Sequence, residues 1–155
     1  MWPFQHRPRP HYTAAAEALI LEICQRHGLK VERDESAPVE LLFRIPVQEG
    51  LSVPIVAGLQ NDDELNLSIG EFWSYFFPFE KVKDKFSEAL DGFIRGECRV
   101  TEYRMPRNKK AFKYILEKRT EDAWETLYAH STLILWWRNP DVVHITNEGA
   151  RDFVT

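Results

Sequence analysis

An α+β domain is the fold this sequence predicts, and three observations predict it. Two stretches carry apolar residues at helical spacing, and each closes on a glycine. Several short segments of alternating polarity follow each of them. The length, 155 residues, suits a single domain with a substantial core. The expected architecture is an antiparallel sheet of about 7–8 strands with two helices, at about 13–27 and 79–95, packed on one face in the order α-β4-α-β4. The same rhythm occurring twice permits a pseudo-duplicated single domain. Residue identity between the halves is slight, and coincidental α+β alternation accounts for the pattern better than gene duplication does.

Residues 1–11 read as a proline-rich N-terminal arm, and 12–155 as the single domain. Pro3, Pro8 and Pro10 forbid a helix and favour an extended path. Helix one is expected after Thr13 as N-cap, with Ala16, Leu19, Ile20, Ile23 and Cys24 as its apolar stripe and Gly28 at a left-handed cap. Leu29 to Arg33 is a short strand and Asp34 to Pro38 a turn. Alternation from Val39 to Val47 and again from Leu51 to Leu59 predicts two more strands. Pro46 and Pro54 cannot donate ladder hydrogen bonds and mark edges or bulges. Leu65, Leu67 and Ile69 alternate with Asn66, Ser68 and Gly70, as in a strand with one wet face. The aromatic run Phe72 to Phe79 is expected to be the crossover into helix two.

Helix two, from about Phe79 to Arg95, buries Phe79, Val82, Phe86, Ala89, Leu90 and Phe93, and Gly96 caps it. Strands are then expected at Cys98 to Met105, Ala111 to Arg119, Ala123 to Trp137 and Val142 to Thr146. Phe112, Ile115, Leu116 and Ala123 also fit a loose helical spacing, but enrichment in Thr, Tyr, Trp and Ile favours strands.

Composition narrows the function classes. Residues 1–77 hold six Lys/Arg against eleven Asp/Glu, and residues 78–155 hold fourteen against thirteen. This balance lacks the cationic surplus that phosphate neutralisation needs, so no nucleic acid is expected as a partner. No apolar run is long enough to span a bilayer, so no membrane is expected either. Two cysteines, Cys24 and Cys98, are too sparse for a disulfide scaffold. With no apolar leader at the N-terminus, the expected location is cytoplasmic.

No phosphate loop, nucleophile elbow or metal-ligand spacing occurs, so no cofactor, no metal and no catalytic residue are assigned. His130 and His144 lie in predicted strands, but a turn at Asn139-Pro140 would hold them apart, and no third ligand is evident. Asp62-Asp63-Glu64 reads as a solvated turn rather than a calcium loop. The basic run from Arg104 to Arg119 reads as a solvated hairpin. It could meet an acidic partner or the acidic stretch 32–40.

What stands out is aromatic content: twenty Phe, Trp and Tyr residues, five of them Trp. Most are expected in the core. Trp73, Tyr75, Phe77, Tyr103, Phe112 and Tyr114 are the candidates for a partner-binding or ligand-binding surface. Glu71, Glu102, His130 and His144 are the candidate polar groups of a pocket.

The order helix, strands, helix, strands resembles that of small secretion-chaperone-like α+β proteins, which cradle a partner on a sheet. The likeness lies in element order, and the chain departs from it by continuing in strands where those proteins carry a last helix. No residue role is transferred. The expected function is a non-enzymatic protein-interaction module, adaptor-like or chaperone-like, whose partner is another protein held on an aromatic-rich sheet face or groove. The alternative is a small-molecule-binding protein or enzyme with an aromatic-lined pocket. An exposed edge strand would permit a homodimer as readily as a monomer.

Overall fold

A computed structural model describes residues 11–131 and 139–150. The proline-rich segment 1–10, the end of the predicted strand at 132–137 and the tail after 150 lie outside the described residues. The element order is α1 (Thr13–Arg26), β1 (Glu32–Arg33), β2 (Leu41–Ile45), β3 (Ile55–Gln60), β4 (Glu64–Ile69), β5 (Phe72–Phe76), α2 (Phe79–Ile94), β6 (Cys98–Arg104), β7 (Ala111–Arg119), β8 (Trp124–Ser131) and β9 (Asp141–Ile145). The α+β class holds, and the helices pack against the sheet as expected. The nine strands form two antiparallel sheets, of order β1-β2-β3-β4-β5 and β8-β7-β6-β9. From 111 to 131 the chain forms the strands β7 and β8 rather than a helix, as its β-branched and aromatic residues favour.

Strand alternation sorts the first sheet into two faces. The cross-strand rows Leu41–Leu59–Leu65–Phe76 and Ile45–Ile55–Ile69–Phe72 are fully buried. Against them pack Ala16, Ile20, Ile23 and Cys24 of α1 and Phe86, Ala89, Leu90 and Phe93 of α2. Gly58 interrupts β3 for a steric reason: a Cβ there would come within 2.2 Å of the Leu41 carbonyl oxygen. Val100 and Leu116, on the inner face of the second sheet, join the same core. Tyr128 of β8 lies against Phe72 and Phe76, with ring centroids at 6.2 and 5.9 Å.

Three features are not those the sequence suggests. The 72–77 segment is not a crossover, because Phe72–Phe76 is the edge strand β5. Gly70, at φ +59°, makes the tight turn that returns the chain beside β4. Phe72, Ser74 and Phe76 point inward and Trp73 and Tyr75 outward, an alternation hidden by the density of rings. Next, β9 has a neighbour the sequence did not suggest: it pairs with β6, with His144 opposite Thr101, while the stretch at 135–137 expected opposite it lies outside the described residues. Third, Thr13 is not the N-cap. Tyr12 takes that position without a side-chain cap bond, and its ring stacks on Phe79 at 4.7 Å. Gly28 and Gly96 do carry the left-handed conformations expected of them, at φ +66° and +77°.

Cys24 and Cys98 are both reduced and buried. Burial pushes the Cys24 thiol up to about 11 and the Cys98 thiol up to about 12, the latter eased slightly by the Lys118 charge. Both thiols are therefore expected to resist a disulfide-exchange reagent at pH 8 in the folded chain and to react fully in denaturant. A pH dependence follows. Each thiol binds its proton more tightly folded than unfolded, so its contribution is complete below about pH 9 and is lost as pH rises through the folded values. The unfolding free energy from urea titrations should fall steadily above pH 9, by up to ~1.4 kcal/mol per pH unit per thiol. A flat profile from pH 8 to 11 would contradict this assignment.

Candidate functional site

The face of the first sheet turned away from the helices is not uniformly polar. Its cross-strand rows read Leu42–Gly58–Asn66–Tyr75 and Arg44–Val56–Ser68–Trp73. Leu42, Val56 and the two rings are apolar groups in the phase of the strands that ought to be wet. Gly58 contributes no side chain, so the first row is hollow between Leu42 and Asn66. The loop before β2 forms a wall, bringing Ala37, Pro38 and Val39 over these residues to enclose a groove of about 250 Å³.

The wall is held by its own hydrogen bonds. Asp34 Oδ1 accepts from the Ser36 backbone N–H at 3.0 Å and from its hydroxyl at 2.7 Å, while Oδ2 accepts from Arg44 at 3.0 Å. The Ser36 hydroxyl, then Arg44, holds the Asp34 carboxyl below the usual carboxylate range.

Trp73 and Tyr75 stand on the edge strand, each 42% exposed, in an edge-to-face pair with centroids 4.9 Å apart. On its other side Trp73 meets the His130 ring at 4.5 Å, which fixes the indole against the second sheet. Beneath the rings Asn66 Oδ1 is buried without a hydrogen-bond partner among the described residues.

A second concavity, of about 570 Å³, opens where the β4–β5 turn faces β6, β7 and the loop between them. It is lined by Glu71, Arg104, Asn108, Lys109, Lys110 and Tyr114, together with Ala111. Glu102, only 2% exposed, lies behind Arg104. Arg104 Nε and Nη2 both donate to Glu102 Oε2, at 2.9 and 2.6 Å. Tyr114 sits opposite Glu102 in the ladder and reaches Glu71 Oε2 at 3.5 Å. Burial, then the charges of Glu71 and Glu102, raise the phenol above its ordinary value, so it stays a neutral donor at physiological pH.

No protein-family model matches this chain, and no curated protein and no solved structure is significantly similar to it.

Of the residues singled out from sequence, Trp73 and Tyr75 meet in the groove, while Phe77, 65% exposed, stands just beyond the end of β5. Glu71 and Tyr114 meet in the cleft, and Glu102 is buried behind Arg104 at its wall. Tyr103 lies on the outer face of the second sheet under the Lys113 ammonium at 5.2 Å, apart from both concavities, and Phe112 lines neither of them. His130 shares the inner face of its sheet with Tyr114 but packs on Trp73. His144 faces the other way, its Nδ1 2.9 Å from the Thr101 hydroxyl, so the two histidines never converge.

Among the described residues no group of three His, Cys, Asp or Glu side chains is placed to hold a metal ion. No helix among them is long and apolar enough to cross a membrane.

Three cations of the basic run are paired within the fold. Arg104 pairs with Glu102, Lys109 with Asp141 and Lys118 with Glu88. None of these partners belongs to the acidic 32–40 stretch, which instead holds Arg33 and Arg44 through Glu35 and Asp34. Sequence reasoning missed Leu42, Val56 and Pro38 as groove residues. The available signal was apolar side chains on the phase of β2 and β3 that carries Arg44 and Gln60.

Proposed function

We propose that this protein is a non-enzymatic binding module that holds an extended segment of a protein partner in the groove between the 37–39 wall and the Trp73–Tyr75 pair. One observation carries the reading: two rings stand exposed side by side on an edge strand, above a hollow that the described side chains leave unfilled. Rings held rigidly by neighbours give large contact area at low entropic cost, which is the chemistry of binding hot spots. The unpartnered Asn66 carbonyl adds a polar anchor. A buried acceptor without a donor costs about 1–3 kcal/mol, which an incoming peptide N–H would recover.

Selection of binding peptides from a displayed random library provides the test. Trp73→Ala combined with Tyr75→Ala is expected to weaken the selected peptides at least ~30-fold, the loss of ~2 kcal/mol typical of a hot spot. Because both rings are exposed on an edge, Tm should fall by no more than about 4 °C. If the variant unfolds instead, the rings belong to the core and the reading fails.

A second reading rests on the convergence of Glu71, Arg104 and Tyr114, which suits a small polar molecule in the cleft. A ligand found by thermal shift should stabilise the wild-type chain and lose that effect in Tyr114→Phe or Glu71→Gln. A ligand indifferent to both changes lies elsewhere.

A further inference from the structure

The charges of the cleft indicate what it would hold. Its charged lining is Glu71, Arg104, Lys109 and Lys110. Arg104 spends Nε and Nη2 on Glu102, and Lys109 pairs with Asp141. Among the described residues, Lys110 and Glu71 are therefore the lining groups left without a partner of opposite charge. One is a cation and the other an anion, and they stand on different walls. Glu71 follows the Gly70 turn before β5, and Lys110 ends the loop between β6 and β7.

The cationic wall is fixed by its own backbone. The Met105 N–H donates to the Lys110 carbonyl and the Lys109 N–H to the Met105 carbonyl, both at 2.9 Å, which closes the loop. Asn108 Oδ1 accepts from the Lys110 N–H at 2.9 Å, a bond that leaves both Nδ2 protons for a ligand. On the acidic wall the Tyr114 hydroxyl donates to Glu71 Oε2 at 3.5 Å, and its oxygen can still accept. One wall thus offers donors suited to a carboxylate, and the other offers acceptors suited to an ammonium. Groups already held in place bind without the cost of ordering them first.

The same charges exclude other ligands. A dianion would meet the Glu71 carboxylate, and a simple cation would meet the Lys110 ammonium. Like charges brought together oppose binding. Concave walls focus the fields of the charges that line them, so the discrimination is sharper there than on an open surface. A volume of about 570 Å³ lies within the usual range of small-molecule sites.

We infer that the cleft holds a small zwitterion of the amino-acid class, with its carboxylate on Lys110 and Asn108 and its ammonium on Glu71 and Tyr114. The inference deepens the second reading above and rests on it, and its test separates the two.

The probes are unbranched ω-amino acids from glycine to aminocaproate, each beside the monocarboxylate and the monoamine of the same length. They are titrated calorimetrically into the full chain. One chain length is expected to bind at least about ten-fold more tightly than both of its single-charge analogues, because only that length reaches both walls. Lys110→Met and Glu71→Gln should each weaken that zwitterion about ten-fold. Glu71→Gln should also bring the zwitterion and its monocarboxylate to within about two-fold of each other, since the group that distinguishes them is gone. Both residues lie at the surface, so neither change should move Tm by more than about 2 °C.

A monocarboxylate that binds the wild-type chain as tightly as the zwitterion overturns the inference, because the cleft then reads one charge only. Zwitterion binding that survives both variants overturns it as well, and so does the failure of every member of the series to bind. In each case a ligand of another class, stabilising the wild-type chain and losing that effect in Tyr114→Phe, still decides separately whether the cleft is a site.

Discussion

Asn147→Ala is expected to lower the unfolding free energy by about 4 kcal/mol, a large part of the stability of a domain this size. The side chain is 4% exposed and lies after β9, at a point where three segments meet. Its Nδ2 donates to the Gly50 carbonyl at 2.9 Å and to the Ile94 carbonyl, at the end of α2, at 2.7 Å. Its Oδ1 accepts from the Ser52 N–H at 2.9 Å and from the Gly149 N–H at 3.1 Å, with the Ser52 hydroxyl at 3.3 Å. Alanine would orphan carbonyls and amides that water reaches poorly, at about 1–3 kcal/mol for each group left unpaired. Asn147→Asp keeps the acceptor and loses both donors, setting a carboxylate against two carbonyl oxygens. It should be at least as harmful near neutral pH. Urea unfolding followed by circular dichroism measures both variants. A loss under 1 kcal/mol for alanine would mean that the tail after β9 is not integral to the fold.

Asn147 also marks the limit of what was legible beforehand. Nothing in the local sequence around Asn147 distinguishes it from a loop asparagine. Its partners lie about 95 and 53 residues away, and only the tertiary arrangement joins them. Periodicity, by contrast, is local, and it located both helices and most strands. It failed at 72–76, where every position is aromatic or serine and the binary pattern carries no contrast, although the inward and outward phases are real. It could not supply the pairing of β9 with β6 either, because alternation within a strand says nothing about which strand lies beside it.

The candidate site was legible to the same degree. Exposed rings at Trp73 and Tyr75 follow from an edge strand. Their meeting with Pro38 depends on a loop whose fold is set by Asp34 bonds to Ser36 and Arg44. Of the candidate polar pocket groups, Glu71 lines the cleft and Glu102 is buried behind Arg104, which lines it. The two histidines, chosen for their chemistry alone, do not line it.

Arg104→Met is expected to cost about 3 kcal/mol, and its reason links the cleft to the core. Glu102 belongs to β6, on the buried face beside Val100 and Leu116, and its carboxylate takes both of its hydrogen bonds from Arg104. Removing the guanidinium strands a buried charge, which typically costs 3–5 kcal/mol. Replacing both partners by neutral groups is far less costly, because the desolvation of the pair disappears with it. Arg104 keeps a third of its side chain exposed, which places the expected loss at the lower end of that range. The double variant Glu102→Gln, Arg104→Met should therefore recover most of the stability lost in Arg104→Met alone, giving a coupling of about 2 kcal/mol in the cycle. Additive losses would show that the two side chains are solvated independently. The cleft would then be a surface hollow rather than a site whose charges are positioned by the fold. If the coupling is found, the comparison with Tyr114→Phe becomes decisive. The phenol faces the same carboxylate across the ladder but bonds Glu71, at 3.5 Å. Its removal should leave the Glu102–Arg104 coupling intact while emptying the cleft of its neutral donor.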